Sequence, residues 1–232
     1  MAILATGCGL PTRATLSAPN RKEETLSEET RVTAPESSED LDADVLDYLD
    51  EVALNGFEFG SAPRVVYKWT QNIGVSVSGA ASESDRLALK SVLADLNELI
   101  SPLRITQVAA DGDITIYYGP DTEFSRRLTG YTPGNRGYFE VHYSRRYSLQ
   151  HADVVISTAV DAAARAHLLR EELTQSLGMF QDSWHQKESI FYQGWTTTDR
   201  YSDLDKAVIR TLYDSRIKPG MTRDKVRDAL GA

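Results

Sequence analysis

Between positions 171 and 182 the chain reads Glu-Glu-Leu-Thr-Gln-Ser-Leu-Gly-Met-Phe-Gln-Asp, and this segment limits the possible folds more than any other. Glu171 and Gln175 are four residues apart, so on a helix they share one face, a turn from each other. Gly178 is placed as the helix stop. Gln181 and Asp182 follow just beyond it. On a helix the first two of these polar side chains therefore share one face, and the glycine ends the helix before the second two. Upstream, Ala162, Ala166, Leu169, Leu173 and Leu177 recur on or near one face, which predicts a helix over 160–177.

The remaining elements are read from periodicity. Leu41, Val45, Leu46, Leu49 and Val52 recur at helical spacing, with Gly56 as a stop. Alternation through Val65, Tyr67 and Trp69 and again through Ile73, Val75 and Val77 predicts a strand, kinked near Gln71 and closed by Gly79. Ser82 with Asp85 forms a capping box for a long amphipathic helix running to Ser101-Pro102. Strands are predicted at 104–108, 113–118, 138–143 and 153–157, with a Gly/Pro-rich loop over 119–137, and two final helices at 203–213 and 223–230.

Charge divides the chain. The formal net charge is −9, and positions 21–51 alone hold 12 acidic residues against 3 basic ones, so the rest is close to neutral. No basic stripe is available to neutralise phosphates, which argues against nucleic acid as a partner. Residues 9–39 are rich in Ser, Thr, Glu, Pro and Ala and read as a disordered acidic linker, because they cannot bury enough apolar surface to offset ordering entropy. The globular domain is expected over 40–232. The sole cysteine, Cys8, excludes an internal disulfide framework and a thiolate cluster. Ala5-Thr6-Gly7-Cys8 resembles the end of a bacterial lipoprotein signal, and the resemblance implies a short leader over 1–8, lipidation of Cys8 and an exported protein in the periplasm or cell envelope. Membrane contact is then expected only through that lipid anchor.

The 171–182 segment resembles, in every spacing, the metzincin signature His-Glu-x-x-His-x-x-Gly-x-x-His-Asp. In that signature two ligands share a helix face, a glycine turns the chain and a third ligand completes a zinc site, while the glutamate is the general base. The resemblance places Glu171, Gln175 and Gln181 at the three ligand positions, Glu172 at the catalytic glutamate, Gly178 at the turn and Asp182 after the third ligand. Ser189-Ile190-Phe191 resembles the Met-turn, with Phe191 in place of the methionine. The chain is also similar to a family of bacterial exported or lipoprotein domains of unknown function, in which Glu-Glu-x-x-Gln, Ser-Ile-Phe and Tyr-Asp-x-Arg-x-x-Pro-Gly-Met recur. The last of these is here Tyr213 to Met221.

What the resemblance implies is an α+β, zincin-like fold over about 150 residues, from Val65 to Tyr213. A twisted mixed sheet of four to five strands would carry a backing helix and an active-site helix, followed by a small helical C-terminal subdomain. Two amides and one carboxylate suit zinc poorly, so the expectation is a pseudo-metallopeptidase with no metal cofactor that binds an extended peptide, protein or envelope polymer. One alternative is a hydrolase that keeps Glu172 as base and holds zinc or another divalent metal through Glu171, Gln175 and Gln181. Another is a purely structural envelope domain. For Glu171 and Gln175 the plainest reading is a solvated or mutually hydrogen-bonded pair, and His142, His151, His167 and His185 lack paired ligand spacing. The tyrosines and arginines interleaved over 117–147 mark an edge strand that could grip a peptide by strand addition.

Overall fold

The structure, a computed structural model, describes residues 2–4, 38–55 and 63–232. Its centre is a mixed sheet. Ala2–Leu4 (β1), Ile73–Gly79 (β2), Ile105–Gln107 (β3), Ile114–Gly119 (β4), Gly137–Tyr143 (β5) and Leu149–Ser157 (β6) lie in the order β1-β5-β6-β4-β2-β3. The β3, β2, β4 and β6 strands are parallel to their neighbours, whereas β5 runs antiparallel to β6 and β1 antiparallel to β5. Five strands thus form the mixed sheet inside the domain, and three N-terminal residues add a short sixth along β5.

Alternation decides which face is covered. Ile73, Val75, Ile114, Ile116, Phe139, Val141, Val154 and Ile156 are all buried, and they form the floor of the main core. Two long helices pack on it. The first, α2 (Glu83–Leu99), follows α1 (Ser38–Leu49) in the chain, and the second is α3 (Ala162–Gln175). The capping box predicted for α2 is present: the Asp85 amide donates to Ser82 Oγ at 3.2 Å, and the Ser82 amide donates to Asp85 Oδ2 at 2.8 Å. Leu89, Val92, Leu93, Leu96 and Leu99 form its buried stripe. On the opposite face Phe124, Leu128, Tyr138 and Val155 make a separate small cluster. Two helices, α4 (Asp203–Tyr213) and α5 (Arg223–Leu230), close the chain at the bounds that the sequence predicts.

Two strand expectations need correction. Residues 65–69 do not join the sheet, and the strand begins only at Ile73. Val65, Val66, Tyr67 and Trp69 are buried together rather than alternately, so the segment is a buried thread and not one side of a ladder. Its backbone touches the start of β6 at Lys68, whose carbonyl accepts the Leu149 amide at 3.0 Å, and pairs with the C-terminal loop through Val66 N–H to Met221 O and Gly220 N–H to Val66 O, both at 2.8 Å. The strand predicted at 153–157 starts four residues earlier, at Leu149, because its outward positions Gln150 and His151 mask the alternation.

Beyond α1 the chain continues into a π-helical turn, Asp50–Leu54. Arg227 binds Asp47 and Asp50 at 2.7 and 2.6 Å, and Arg223 also reaches Asp50, so α5 is clamped to this turn. Cys8 and Gly56 lie outside the described residues.

The buried thread is held by one cation. Lys68 Nζ donates to the carbonyls of Leu212 and Ile217 at 2.7 and 3.2 Å, and it stands 4.9 Å from the centre of the Tyr213 ring. Leu212 lies in the last turn of α4, where a helix end otherwise leaves its carbonyls open, and Ile217 lies in the loop beyond it. Replacing Lys68 by Met keeps the packing volume but leaves these carbonyls without a donor. The expected loss is about 2 to 4 kcal/mol, read as a shift of the denaturant midpoint with an unchanged slope.

Candidate functional site

From Ala164 onward, α3 is enclosed on almost every side. His167, Leu168, Leu169, Arg170, Glu171, Glu172, Leu173, Thr174 and Gln175 are all buried. Asp161 caps the start by accepting from the Ala164 amide at 2.9 Å. At the other end Gly178 has φ +121°, and a Cβ there would collide with the Tyr67 carbonyl oxygen. The turn expected from the sequence is therefore present, and the packing against the 65–69 thread demands glycine there.

The expectation of a solvated or mutually bonded Glu171–Gln175 pair is not met. Both are buried, and Gln175 Nε2 instead donates to Asp182 Oδ1 at 2.5 Å, across the glycine turn. Asp182 is thus brought back onto the last residue of the helix. Gln181 is tied to the π-helical turn through its backbone, its N–H donating to Val52 O at 3.0 Å. Glu171 Oε2, both oxygens of Glu172 and Gln175 Oε1 have no hydrogen-bond partner. Glu172 sits under β5, its Oε1 only 2.5 Å from where a Cβ on Gly137 would lie, so the absence of a side chain at Gly137 makes room for the carboxylate.

His167 completes the site. It is fully buried one turn before Glu171. Its Nδ1 lies 2.7 Å from the Thr198 carbonyl, which can only accept, so Nδ1 carries the proton and Nε2 presents a lone pair. That nitrogen is 3.4 Å from Glu171 Oε2. The spacing His167, Glu171, Gln175, three consecutive turns of one helix face, was the available signal. Of the other histidines, His142 and His151 face each other across β5 and β6 on the opposite side of the sheet, and His185 is exposed.

Burial sets the electrostatics. Desolvation, with the Asp182 and Glu172 charges adding to it, pushes the Glu171 carboxyl well above the usual carboxylate range, and desolvation with Asp182 does the same to Glu172. Desolvation lowers His167, which keeps its imidazole neutral. A proton on Glu171 is then in position to be shared with His167 Nε2. Among the described residues, no three His, Cys, Asp or Glu side chains come together to hold a metal ion. Of the three positions at which the signature carries its ligands, Gln175 has its amide engaged with Asp182, and none carries imidazole or thiolate.

Phe191, expected at the Met-turn, is fully buried in a tightly bonded turn. Ser189 Oγ receives Tyr48 Oη at 2.7 Å and donates to Asp205 Oδ1 at 2.6 Å, and Asp205 Oδ2 accepts the Ile190 amide. The Phe191 carbonyl in turn accepts from the Ser183 amide at 2.7 Å, which straps this turn to the residue after Asp182.

A glutamate whose carboxyl is raised in the folded state stabilises the fold below its unfolded value and loses that contribution as pH rises through the folded one. For Glu171 and Glu172 the loss begins above the ordinary carboxylate value of 4.5. Unfolding free energy is therefore expected to fall as pH rises above that value. In Glu172→Gln the fall is expected to be shallower and the neutral-pH stability higher, as measured by denaturation over that rise in pH. Gly178→Ala is expected to cost about 3 kcal/mol or more in the same assay.

No curated protein matches the chain. Among solved structures, that of myroilysin aligns with a TM-score of 0.41 and 11% identity, covering 65% of this chain and 98% of that one. Residues 42–232 match the family model described as "Protein of unknown function (DUF2927)". With most of its length covered by that match, the chain belongs to this family.

Proposed function

We propose that this domain is a metzincin-like module without zinc chemistry, a pseudo-metallopeptidase that binds an extended peptide or envelope polypeptide along β5. The observation that carries the reading is the state of the ligand positions. Glu171 and Gln175 are sealed in the core, and the Gln175 amide is committed to Asp182 at 2.5 Å. A zinc-activated water needs three strong ligands and an open fourth position, and neither provision exists here. What remains useful is the neighbouring strand: β5 is the antiparallel member of the sheet, and only β1 lies beyond it. In this reading the domain works in the cell envelope, tethered through a lipid on Cys8.

A second reading, a metal-dependent hydrolase with Glu172 as general base, draws on a single observation, the two partnerless oxygens of Glu172. Two experiments test these readings, the first the shared arrangement and the second the role. The Glu171→His, Gln175→His, Gln181→His variant restores the ligand chemistry, and if these positions have metzincin geometry the folded variant is expected to take up about one equivalent of zinc. Failure of a folded variant to bind zinc would overturn the metzincin-like arrangement. Peptide hydrolysis by the unmodified chain with added divalent metal, lost in Glu172→Gln, would overturn the non-catalytic role.

A further inference from the structure

The outer side of β5 already has an occupant. Ala2, Ile3 and Leu4 pair antiparallel with His142, Val141 and Glu140, and this places the chain's own N-terminal residues where an added strand would lie. We infer that β1 is an internal plug: it fills part of the peptide-accepting edge of β5, and an extended peptide of the same direction and register binds by displacing it. The inference rests on the peptide-binding reading above and adds its regulation and the form of its ligand.

Three features support the plug. An uncovered sheet edge exposes a row of unsatisfied backbone groups, which proteins cover or block, and here the cover comes from the chain itself. The cover is short, pairing with three of the seven residues of β5, so only a few ladder bonds hold it and a longer strand can compete. Its direction matters as well. Continued in the same register, a ligand strand passes Phe139 and Tyr138 and reaches Gly137, beneath which the partnerless Glu172 carboxyl lies. The favoured ligand is therefore an extended segment of about six residues or more that can pair with all of β5, with small or apolar residues at its start, as Ala-Ile-Leu has. The plug therefore belongs to the uncleaved chain: the cleavage before Cys8 that the lipid tether requires removes β1 and leaves the edge open in the anchored form.

The test uses the full chain and its Ile3→Pro variant. Proline removes one ladder donor and disfavours the paired strand. The probe is a fluorescein-labelled peptide of sequence Met-Ala-Ile-Leu-Ala-Thr-Gly, followed by anisotropy. Ile3→Pro is expected to bind it about tenfold more tightly than the unmodified chain. In hydrogen exchange without probe, the variant is expected to lose protection at 140–142 while β6 keeps its own. Equal affinity of both chains for the probe overturns the plug and leaves peptide binding standing. No binding to either chain, with 140–142 losing protection in the variant, overturns the peptide-binding reading and the plug with it. Unchanged exchange at 140–142 overturns the pairing itself.

Discussion

A helix enclosed by protein cannot leave its polar groups to water, and much of the second half of this chain is arranged around that constraint on α3. Four of its buried polar side chains are met from the 182–201 segment or from α2, while the Glu172 carboxyl is left without a hydrogen bond. His167 meets the Thr198 carbonyl, Gln175 meets Asp182, and Thr174 meets the Tyr201 hydroxyl at 2.7 Å. Arg170 reaches Asp95 on α2 and lies over the Tyr201 ring. The segment between α3 and α4 has almost no regular structure of its own, yet it is well packed, because its order comes from satisfying the helix.

The same constraint makes the site a reasonable place for protons. A divalent ion needs several strong ligands converging on one point, whereas a protonated carboxyl needs only one acceptor. Neutral His167 next to Glu171 provides such an acceptor. The site is therefore a group of acids whose simplest neutral state is protonated, and the burial that surrounds them favours that state.

How much of this was readable beforehand depended on whether the signal was local. The Ser82–Asp85 capping box, the α2 stripe, the two C-terminal helices and the glycine turn at 178 each follow from residues within a few positions of one another, and each appears as read. The buried thread at 65–69 misled because period-two spacing marks both a half-buried strand and a segment buried on all sides, and only the distant partners at Val66, Gly220 and Met221 distinguish them. The site divided in the same way. The spacing of Glu171, Gln175 and Gln181 was legible, but the burial of His167 and the space that Gly137 leaves for Glu172 depend on a strand some 30 positions away in the sequence.

The π-helical turn after α1 gives the molecule a mechanical property. It is joined to the site by the Val52 carbonyl, which holds Gln181, and its neighbour Tyr48 holds Ser189 of the Phe191 turn. Arg223 and Arg227 brace the turn from α5 at the other end of the chain. Tension applied on the N-terminal side of α1 would thus load the two segments that frame the carboxylates before it reached the sheet, with the C-terminal helix acting as the counterweight.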